Sequence, residues 1–543
     1  MMTGKAGDWI LRRKNILIIG TILLIGILGS LLILYSTQWG PWVYSDSAGY
    51  ILSARNLLAG HGLGLYGPSG AFRPLSIHPP LFSLMLSLFG WIGFDLIATA
   101  RWMNAILFGL TIIIVGLSIL ATTRSSWLSV ISCILLLSMP DLTYISSGAM
   151  SEPLFFFLGF ASLCALQWFL INDRRLVLLA AAAAAGLSIV TRYAGLAFMI
   201  TGIAFLFIFS RKAFKNRILD VFIYGMVGSL PVLAWFVHLK LQSSSARLIL
   251  LPLNLKEGLV NLRLWMMEVI WSWLPFPNFF PHYSYNLTKY YLLLAAGLMI
   301  ALTSLTLWRA HKNKLDISIL SSGLPFVGLM VILAIAYLVV LVISYLFLLP
   351  PPVLSGRLLI PVHITVILGF FGLCFFFIRT WLKIKWIPLI PVIIALGFFI
   401  YYMQGSIKFA VQLHQNGDGY TSRNWRNSQT IHAAQQLPTN ISLISNDSAA
   451  VYFYTNRPAY DIYELIDKIP QSFTRYGDDP TDPAQRAFRS RGAALILFNS
   501  IYGQFESIYW GQTEERMENF TKGLYLFAQL KDGRIYFYTA RGR

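Results

Sequence analysis

Long, uninterrupted apolar runs restrict the possible folds of this chain more than any other feature of its sequence. They recur between residues 16 and 403, and each is about 17–25 residues long, the length of helix that crosses the hydrocarbon core of a bilayer. Soluble chains carry about a quarter charged residues, whereas 12% of these 543 residues are charged and 56% are hydrophobic. The sequence therefore predicts a polytopic α-helical membrane protein.

About eleven spans follow from the run lengths and from the positive-inside rule, by which short cytoplasmic loops collect Lys and Arg. Basic clusters alternate with connections poor in Lys and Arg only if the run at 79–94 does not cross the membrane. We therefore interpret 79–94 as a juxtamembrane or re-entrant helix on the outer side. This topology predicts a plasma (inner) membrane protein with a cytoplasmic N-terminus and an extracytoplasmic C-terminal region. The predicted spans are 16–35, 101–121, 126–142, 153–171, 175–190, 194–210, 218–238, 289–308, 320–349, 357–379 and 386–403.

Composition divides the chain into a membrane module, residues 1–403, and a C-terminal region, residues 404–543. The C-terminal region contains Asn, Asp, Gln and Arg throughout and has no spanning run. At about 140 residues it is long enough to bury a core of its own, so we predict a small extracytoplasmic α/β domain. Its predicted elements are a helix at Arg423–Leu437, strands at Ile441–Ser445 and Ala493–Phe498, and a hairpin of Leu524–Leu530 with Ile535–Thr539.

The formal net charge of +19 comes largely from the basic clusters of the predicted cytoplasmic loops. Such clusters orient a membrane protein and contact anionic lipid headgroups. No basic face with interleaved aromatic residues stands apart from this pattern, so membrane lipids, and not nucleic acids, are the predicted partners.

The predicted first outer loop, residues 36–100, holds the strongest candidate for chemistry. Directly after the first span the chain reads Trp39-Gly-Pro-Trp-Val-Tyr-Ser-Asp46-Ser-Ala-Gly-Tyr50, and an amphipathic helix is predicted over Ala48–Ala59. A partly desolvated carboxylate among aromatic and small residues is suited to general-base catalysis. Asp is also a preferred helix N-cap residue, so capping is the structural alternative for Asp46.

The stretch SDSAGYILSARNLLAGHGL, followed by HPPLFSLMLSLFG, resembles the GT-C fold glycosyltransferases. The similarity is to their bacterial branch related to protein mannosyltransferases and aminoarabinose transferases, which is glycosyltransferase family 39-like. The first-loop carboxylate of that family maps onto Asp46, and its basic-Pro element maps onto His78-Pro79-Pro80. A second acidic position maps onto Glu152 in SEPLFFFL.

Two arginine motifs extend the resemblance, TRYAGL at Arg192 and SGRLLIP at Arg357. One position departs from the pattern of this branch, because relatives often carry a second acidic residue next to the basic-Pro element. Here Ile77 and His78 occupy that place, which argues against a paired-carboxylate site in the first loop.

The resemblance implies transfer of a hexosyl or pentosyl group from a polyprenyl-phosphate-linked donor to an acceptor at the extracytoplasmic face. The acceptor is a protein, a lipid or a polysaccharide, and the transfer inverts the sugar with Asp46 as general base. The leaving lipid phosphate gains negative charge, which arginine neutralises well because a guanidinium binds two phosphate oxygens at once. The predicted substrate- and phosphate-binding residues are His78, Glu152, Arg192, Arg357 and Tyr50.

Each of these roles has a structural alternative. Arg192 and Arg357 can extend to lipid headgroups, and His78 can cap a helix that starts at Pro79. Glu152 can stabilise the positive end of a helix dipole.

A second predicted outer loop, residues 239–288, is dense in Trp, Phe, Tyr and Pro. This pattern is typical of an interfacial aromatic belt. A flap over the lipid carrier or the acceptor is the functional alternative.

Two other functions are compatible with the sequence. A transporter or flippase of lipid-linked sugars would be expected to show internal repeats and polar helices at mid-membrane, and we find no repeat. A non-catalytic glycolipid-binding scaffold is the other alternative. Some of the wider fold class use a divalent metal, but Mg²⁺ needs more oxygen ligands than one first-loop Asp supplies, so a metal site lacks support.

Overall fold

A computed structural model describes most of the chain, and it divides into two compact units. The helical unit comprises Met1–Gln38, Ser76–Phe82 and Thr99–His414, and the sheet unit comprises Trp39–Leu75, Ser83–Ala98 and Gln415–Arg543. The start of the predicted first outer loop therefore belongs to the same unit as the C-terminal region. The described residues are 3–66, 72–76, 78–242, 249–250, 255–274, 317–349, 352–381, 389–462, 486–489, 492–509 and 513–538.

Helices dominate the first three quarters of the chain. Two 3-10 turns interrupt them, Tyr193–Gly195 and Gly356–Leu359. Two short antiparallel pairs are also present, β1 (Gly64–Tyr66) with β2 (Phe72–Pro74), and β3 (Ile249–Leu250) with β4 (Leu348–Leu349), which lies far along the chain. The helices are α1 (Thr3–Ser36), α2 (Ser45–Leu58), α3 (Leu81–Trp91), α4 (Leu96–Thr123), α5 (Ser126–Ser138), α6 (Pro140–Ser146), α7 (Glu152–Asn172), α8 (Arg175–Thr191), α9 (Leu196–Phe209), α10 (Phe214–Leu241), α11 (Leu255–Ser272), α12 (Ile317–Phe347), α13 (Ile360–Trp381) and α14 (Leu389–Asn416).

Within the described residues, seven helices are long and apolar enough to cross a membrane, or eight if α5 and α6 form one bent span. The chain is thus a polytopic helical membrane protein, as predicted. The predicted spans at 175–190 and 194–210 are the shorter apolar helices α8 and α9, and the predicted span at 289–308 lies outside the described residues. The number eleven stays a prediction.

The run at 79–94 forms α3, which has 11 residues. At 1.5 Å per residue it is about 16 Å long, roughly half the hydrocarbon thickness of a bilayer. Its length therefore agrees with the prediction that this run does not cross.

Pro140 explains the bend of 61° between α5 and α6. The residue before a proline is disfavoured in the helical region, and Met139 is extended, with φ −65° and ψ 115°. Pro140 itself then starts α6, where its missing N–H has no helical partner to lose.

Small residues let the helices of the helical unit approach closely. A Cβ atom added to Gly186 on α8 would lie 2.2 Å from the carbonyl oxygen of Gly228 on α10, so the two backbones are in contact there. The alanine run that precedes Gly186 keeps this face of α8 flat. Packing of small residues is a common way to hold membrane helices together, because lipid tails remove the hydrophobic driving force.

Charged side chains join the turn between α7 and α8 to α10. Asp220 on α10 is fully buried, and its two oxygens pair separately with Arg175 and, at 2.8 Å, with Lys212. Lys212 also pairs with Asp173, whose left-handed backbone (φ 51°) ends α7. We call these four residues the turn clamp. Two cations balance two carboxylates in it, so the buried charge of Asp220 is compensated.

The C-terminal region folds as the predicted α/β domain. Its five strands lie in the order β6-β5-β7-β9-β8, with β5, β6 and β7 parallel and β8 and β9 antiparallel. The strands are β5 (Leu443–Ser445), β6 (Ala459–Asp461), β7 (Ala494–Phe498), β8 (Tyr525–Gln529) and β9 (Gly533–Phe537), and the helices are α15 (Arg423–Arg426), α16 (Gln429–Gln436), α17 (Ser448–Thr455), α18 (Ser500–Tyr509) and α19 (Thr513–Thr521).

The alternation of β7 explains why this sheet is covered on both faces. Leu495 and Leu497 pack into one buried cluster, while Ala494, Ile496 and Phe498 pack into a second. Successive side chains of a strand point to opposite faces, so each face of the sheet has its own core.

The predicted strands at 441–445 and 493–498 and the predicted hairpin are confirmed, with ends that differ by up to two residues. The single helix predicted over Arg423–Leu437 was wrong, because it is two helices, α15 and α16. Ser428 separates them and accepts a hydrogen bond from the backbone N–H of Ile431 at 3.0 Å. An N-capping serine starts a new helix even where the apolar pattern continues.

Candidate active site

Glu152 begins α7, and its side chain is 3% exposed. Pro153 follows it at the second helical position, where proline needs no hydrogen-bond partner and its fixed φ suits a first turn. A carboxylate buried to this degree must be compensated by a nearby positive charge or by hydrogen bonds.

Two arginines supply that charge. Arg192 Nη1 lies 2.9 Å from Glu152 Oε1, and Arg357 Nη1 lies 3.9 Å from the same oxygen. Arg192 ends α8 in an extended conformation, and Arg357 lies in the 3-10 turn before α13. The three residues that the sequence singled out in SEPLFFFL, TRYAGL and SGRLLIP are therefore together in space. We call Arg192 and Arg357 the arginine pair, and Glu152 its carboxylate.

The geometry of this group leaves the carboxylate incompletely satisfied. Among the described residues, neither oxygen of Glu152 accepts a hydrogen bond of normal geometry, although Arg192 is at ion-pair distance. Arg192 also donates to Ser151 Oγ at 3.3 Å. Two guanidinium groups and one carboxylate give a formal charge of +1, and their side chains are 21%, 27% and 3% exposed. The two guanidinium groups are therefore the more exposed part of this group, and the carboxylate is its buried part.

Hydrogen bonds connect the residue after Arg192 to two other segments of the helical unit. The Tyr193 hydroxyl donates to the carbonyl oxygen of Ser76 at 3.3 Å, and it accepts from Trp235 Nε1 at 3.1 Å. The segment Ser76–Phe82, which contains His78, is thereby attached next to Arg192.

His78 is half-buried and stands two residues from the Ser76 contact. The helix predicted to start at Pro79 begins instead at Leu81, so His78 is not at its N-cap position. Phosphate binding by His78 stays a prediction.

Asp46 is the second residue of α2, because that helix starts at Ser45, three residues earlier than predicted, and its N-cap is Tyr44. Asp46 is therefore not the N-cap residue, and its half-buried side chain lies in the first turn of the helix. Tyr50, one turn further on, is 1% exposed. Both belong to the sheet unit, and the catalytic role of Asp46 stays a prediction.

Comparison with known proteins rests on structure alone, because no protein-family model and no curated protein sequence matches the chain. ArnT from Cupriavidus metallidurans, in a crystal structure bound to undecaprenyl phosphate, is similar with a TM-score of 0.53 and 14% identity, over 96% of this chain and 98% of that one. The oligosaccharyltransferase of Archaeoglobus fulgidus, in complex with Zn and sulfate, is similar with a TM-score of 0.54 and 13% identity, over 94% of this chain and 73% of that one.

Both neighbours are GT-C fold glycosyltransferases, and the similarity covers nearly the whole of this chain. The chain has a GT-C fold. The fold that the sequence resemblance predicted is thus confirmed. A further structure of the Archaeoglobus protein, AglB, with an inhibitory peptide and a dolichol-phosphate, is similar with a TM-score of 0.51 and 13% identity, over 96% of this chain and 74% of that one.

Within this GT-C fold, sequence reasoning missed Tyr337. It lies on α12, is 5% exposed, and its hydroxyl is close enough to Arg192 and Glu152 to be affected by both charges. A single tyrosine in the aliphatic run AIAYLVV is the signal that could have identified it.

Sequence reasoning also missed a buried polar group around His363. His363 is 2% exposed on α13 and stacks on Trp273, with ring centroids 4.2 Å apart. Its Nε2 is 2.8 Å from the hydroxyl of Tyr402, which donates to the carbonyl oxygen of Trp273 at 2.9 Å. Since the hydroxyl proton is used there, Nε2 is the donor, and Asp141 Oδ2 lies 3.8 Å from Nδ1. The group joins α6, α13 and α14 to Trp273, the residue directly after α11.

In the part of the chain that the structure describes, no three His, Cys, Asp or Glu side chains cluster closely enough to hold a metal ion. The arginine pair and its carboxylate offer one acidic residue and two cations. Such a group is suited to an anion and not to a divalent cation.

Proposed function

We propose that this GT-C fold protein is a membrane glycosyltransferase that moves a sugar from a polyprenyl-phosphate-linked donor to an acceptor at the extracytoplasmic face. The observation that carries the proposal is the pair Arg192 and Arg357 at one buried carboxylate, Glu152. A lipid phosphate is an anion that such a group would bind at the membrane.

The chemistry of the transfer needs this charge. When the bond between sugar C1 and the phosphate oxygen breaks, the donor phosphodiester becomes a phosphomonoester and gains one negative charge. The arginine pair would stabilise that gain, because charge-assisted hydrogen bonds from guanidinium to phosphate are strong and directional. Glu152 would hold the two guanidinium groups near each other against their mutual repulsion.

Asp46 is the proposed general base. The acceptor hydroxyl must lose its proton as its oxygen attacks C1, and the carboxylate would take that proton while the configuration of the sugar inverts. His78 is proposed to add a phosphate contact. Tyr50 is 1% exposed, so we propose that it acts through the packing of α2 below the substrate.

Two neighbours support the class of donor. Their structures contain undecaprenyl phosphate in ArnT and a dolichol-phosphate in AglB, and both molecules are polyprenyl-type phosphates. We propose the same class here, with a hexosyl or pentosyl group and with a protein, lipid or polysaccharide acceptor. We also propose the plasma (inner) membrane location, the cytoplasmic N-terminus and the division at about residue 403 that the loop charges and composition predict.

The test is transfer of radiolabelled sugar from polyprenyl-phosphate donors by the wild-type protein and by Asp46→Asn. We expect the variant to lose about 10²–10⁴-fold in rate, the usual contribution of a general base. Asp447→Asn is the matched control, because a single oxygen of Asp447 accepts both of its hydrogen bonds and an Asn oxygen can replace it.

Equal rates for wild type and Asp46→Asn would remove Asp46 as the base. If the wild type transfers no sugar from any donor but moves lipid-linked sugar across vesicle bilayers, the protein is a flippase and the proposal fails. Binding of donor with neither activity would favour a scaffold.

A further inference from the structure

The start of the first outer loop and the C-terminal region share the sheet unit, and their contacts form a regular series. The carbonyl oxygens of Trp39, Pro41 and Val43 all accept hydrogen bonds from the segment 420–426. Their donors are Arg426 Nη2 at 2.6 Å, Thr421 Oγ1 at 2.7 Å and the backbone N–H of Tyr420 at 2.7 Å. These three hydrogen bonds attach residues 39–43 to the C-terminal region, although the segment is not a regular strand, since Gly40 has a φ of 101°.

Gly419 is the closest point of this contact. Its backbone has φ +57°, and it forms an isolated parallel bridge with Val43. A Cβ atom at this position would lie 2.1 Å from the carbonyl oxygen of Val43 and 2.8 Å from its carbonyl carbon. No side chain fits without displacing the loop, and Val43 is three residues before Asp46.

The other end of α2 is held as well. Arg55 Nη1 donates to the carbonyl oxygen of Phe453 and to Asn456 Oδ1, each at 2.7 Å. The guanidinium also lies 5.1 Å from the centre of the Phe453 ring, within the range of a cation–π interaction. These contacts attach Arg55 to the last turn of α17.

Asn56, the next residue, connects three segments. Its side-chain amide donates to the carbonyl oxygen of Gly64 on β1 at 2.8 Å, and its oxygen accepts from the Tyr452 hydroxyl at 2.8 Å. Asn56 is 6% exposed, so both hydrogen bonds are shielded from water. With Val43 held before its start and Arg55 and Asn56 held near its end, α2 is attached to the C-terminal region at both ends.

We propose that the C-terminal α/β region is the positioning element for α2, with Gly419 and Arg55 as positioning residues for the carboxylate of Asp46. This inference rests on the proposed function only for the role of Asp46; the attachment of α2 is independent of it. A catalytic group displaced by about 1 Å can lose about 10²-fold in rate. The C-terminal α/β region contains no proposed catalytic or phosphate-binding residue, but it would thereby affect the rate of sugar transfer.

The first experiment compares Gly419→Ala with Gly492→Ala in the full-length protein in detergent. Gly492 has the same left-handed backbone (φ +65°), but a Cβ there would meet nothing within 4 Å. Both variants carry the strain of a side chain at positive φ, and only the first pushes on the loop. We expect faster hydrogen exchange of the amides of residues 45–58 in Gly419→Ala, by at least about tenfold, and no change there in Gly492→Ala.

The transfer assay gives the second readout. Gly419→Ala is expected to lower kcat about 10²-fold while the Kd for undecaprenyl phosphate stays within twofold, because the arginine pair belongs to the other unit. A merely structural defect would lower the amount of active protein and leave the kcat of the remaining molecules unchanged.

Arg55 keeps the inference testable if Gly419→Ala fails to fold. Arg55→Met is expected to lower kcat about tenfold, and Arg55→Lys to restore part of it, since a single ammonium replaces only some of the guanidinium contacts. Arg73→Met, at an exposed position of β2 in the same loop, is the matched control and is expected to keep wild-type kcat.

Equal exchange over residues 45–58 in Gly419→Ala and Gly492→Ala would overturn the inference. So would faster exchange with an unchanged kcat. If the wild type shows no sugar transfer, the proposed function fails, but hydrogen exchange still decides whether the C-terminal region holds α2.

Discussion

Buried carboxylates lie at both ends of the hairpin of α7 and α8: Glu152 begins α7 at one end, and Asp220 of α10 contacts the turn at the other. Their charges are compensated differently. At the turn, one oxygen of Asp220 pairs with Arg175 and the other pairs with Lys212. Lys212 also pairs with Asp173, so the formal charge of the four residues is zero. At the open end, both arginines of the pair approach the same oxygen of Glu152, at 2.9 and 3.9 Å, and the formal charge is +1. The charges of the turn clamp balance one another without a ligand, as is expected of a structural group.

The difference shows how to separate folding from function among buried charges. Both carboxylates are within 3% of full burial, so burial alone does not distinguish them. What distinguishes them is the arrangement of the cations around each carboxylate. Under the proposed function, the arginine pair is the one that binds an anion, and the turn clamp is structural.

Among the changes that test this comparison of buried carboxylates, removing Arg357 should have the largest effect on activity. We expect Arg357→Gln to lower the kcat of sugar transfer about 10²–10³-fold, the usual loss for one donor to a developing negative charge. Stability should change little, because Arg192 stays 2.9 Å from Glu152. The measurements are radiolabelled transfer and thermal unfolding in detergent.

Arg174→Gln is the matched control, since Arg174 is exposed at the opposite end of the same helix as Arg192. If Arg357→Gln keeps the wild-type rate of transfer and the wild-type affinity for undecaprenyl phosphate, the arginine pair is structural too. The proposed difference between the two ends of the hairpin would then be wrong.

Lys212→Met tests the turn clamp and should affect stability and not activity. The change leaves fully buried Asp220 with Arg175, which is itself 48% exposed. We expect a loss of about 2 kcal/mol, less than the about 3–5 kcal/mol of a buried pair broken outright, because one partner remains. Denaturant unfolding in micelles measures it, with exposed Lys215→Met as the control.

Transfer per folded molecule should stay within twofold of wild type in Lys212→Met. A kcat lower by tenfold or more, with unchanged stability, would place function at the turn and contradict the distinction between the two ends.

Substitution of a third carboxylate, Asp447, should have the smallest effect on stability. It extends the comparison because hydrogen bonds hold this carboxylate in place. Burial raises the pKa of the Asp447 carboxyl, while hydrogen bonds from the Tyr420 hydroxyl and the backbone N–H of Ala450 act in the opposite direction. A raised pKa means that the folded state prefers the protonated form. The stability from this group is therefore greatest below its unfolded pKa of 3.8 and is lost as the pH rises through the folded value.

We accordingly expect Asp447→Asn to gain stability relative to wild type between pH 4 and pH 7, by less than the loss in Lys212→Met. Thermal unfolding at the two pH values measures this difference. A difference that shrinks as the pH rises would mean that the charged form is the one the fold stabilises.

The parts of the fold and of the candidate site that depend on local sequence signals could be predicted from the sequence. Run lengths and loop charges predicted the helical bundle, and the motifs around Glu152, Arg192 and Arg357 selected residues that meet in space. His363, Asp141 and Tyr402 could not be selected. Each is one polar residue in or near an apolar run, and its partners are on other helices.

Long-range pairing limited the prediction of the sheet unit. Nothing in the sequence near Val43 indicates that its partner is Gly419. In the C-terminal region, alternation identified β7 and the hairpin, whereas capping by Ser428 overrode the helical period at α15 and α16. Helix α14 also continues to Asn416, beyond the predicted end at residue 403, because a helix does not have to stop where the hydrocarbon does.

The bridge between Val43 and Gly419 has a consequence for the order in which the protein is made. Residues 39–75 leave the ribosome roughly 340 residues before Gln415, and at about 5–20 residues per second that interval is about 17–70 s. During this time the first outer loop has emerged without the surface on which it rests. Biogenesis must therefore shield Trp42 and its neighbours until the last segment arrives, and a ribosome stalled after the final span would leave a protein inserted in the membrane but still unassembled.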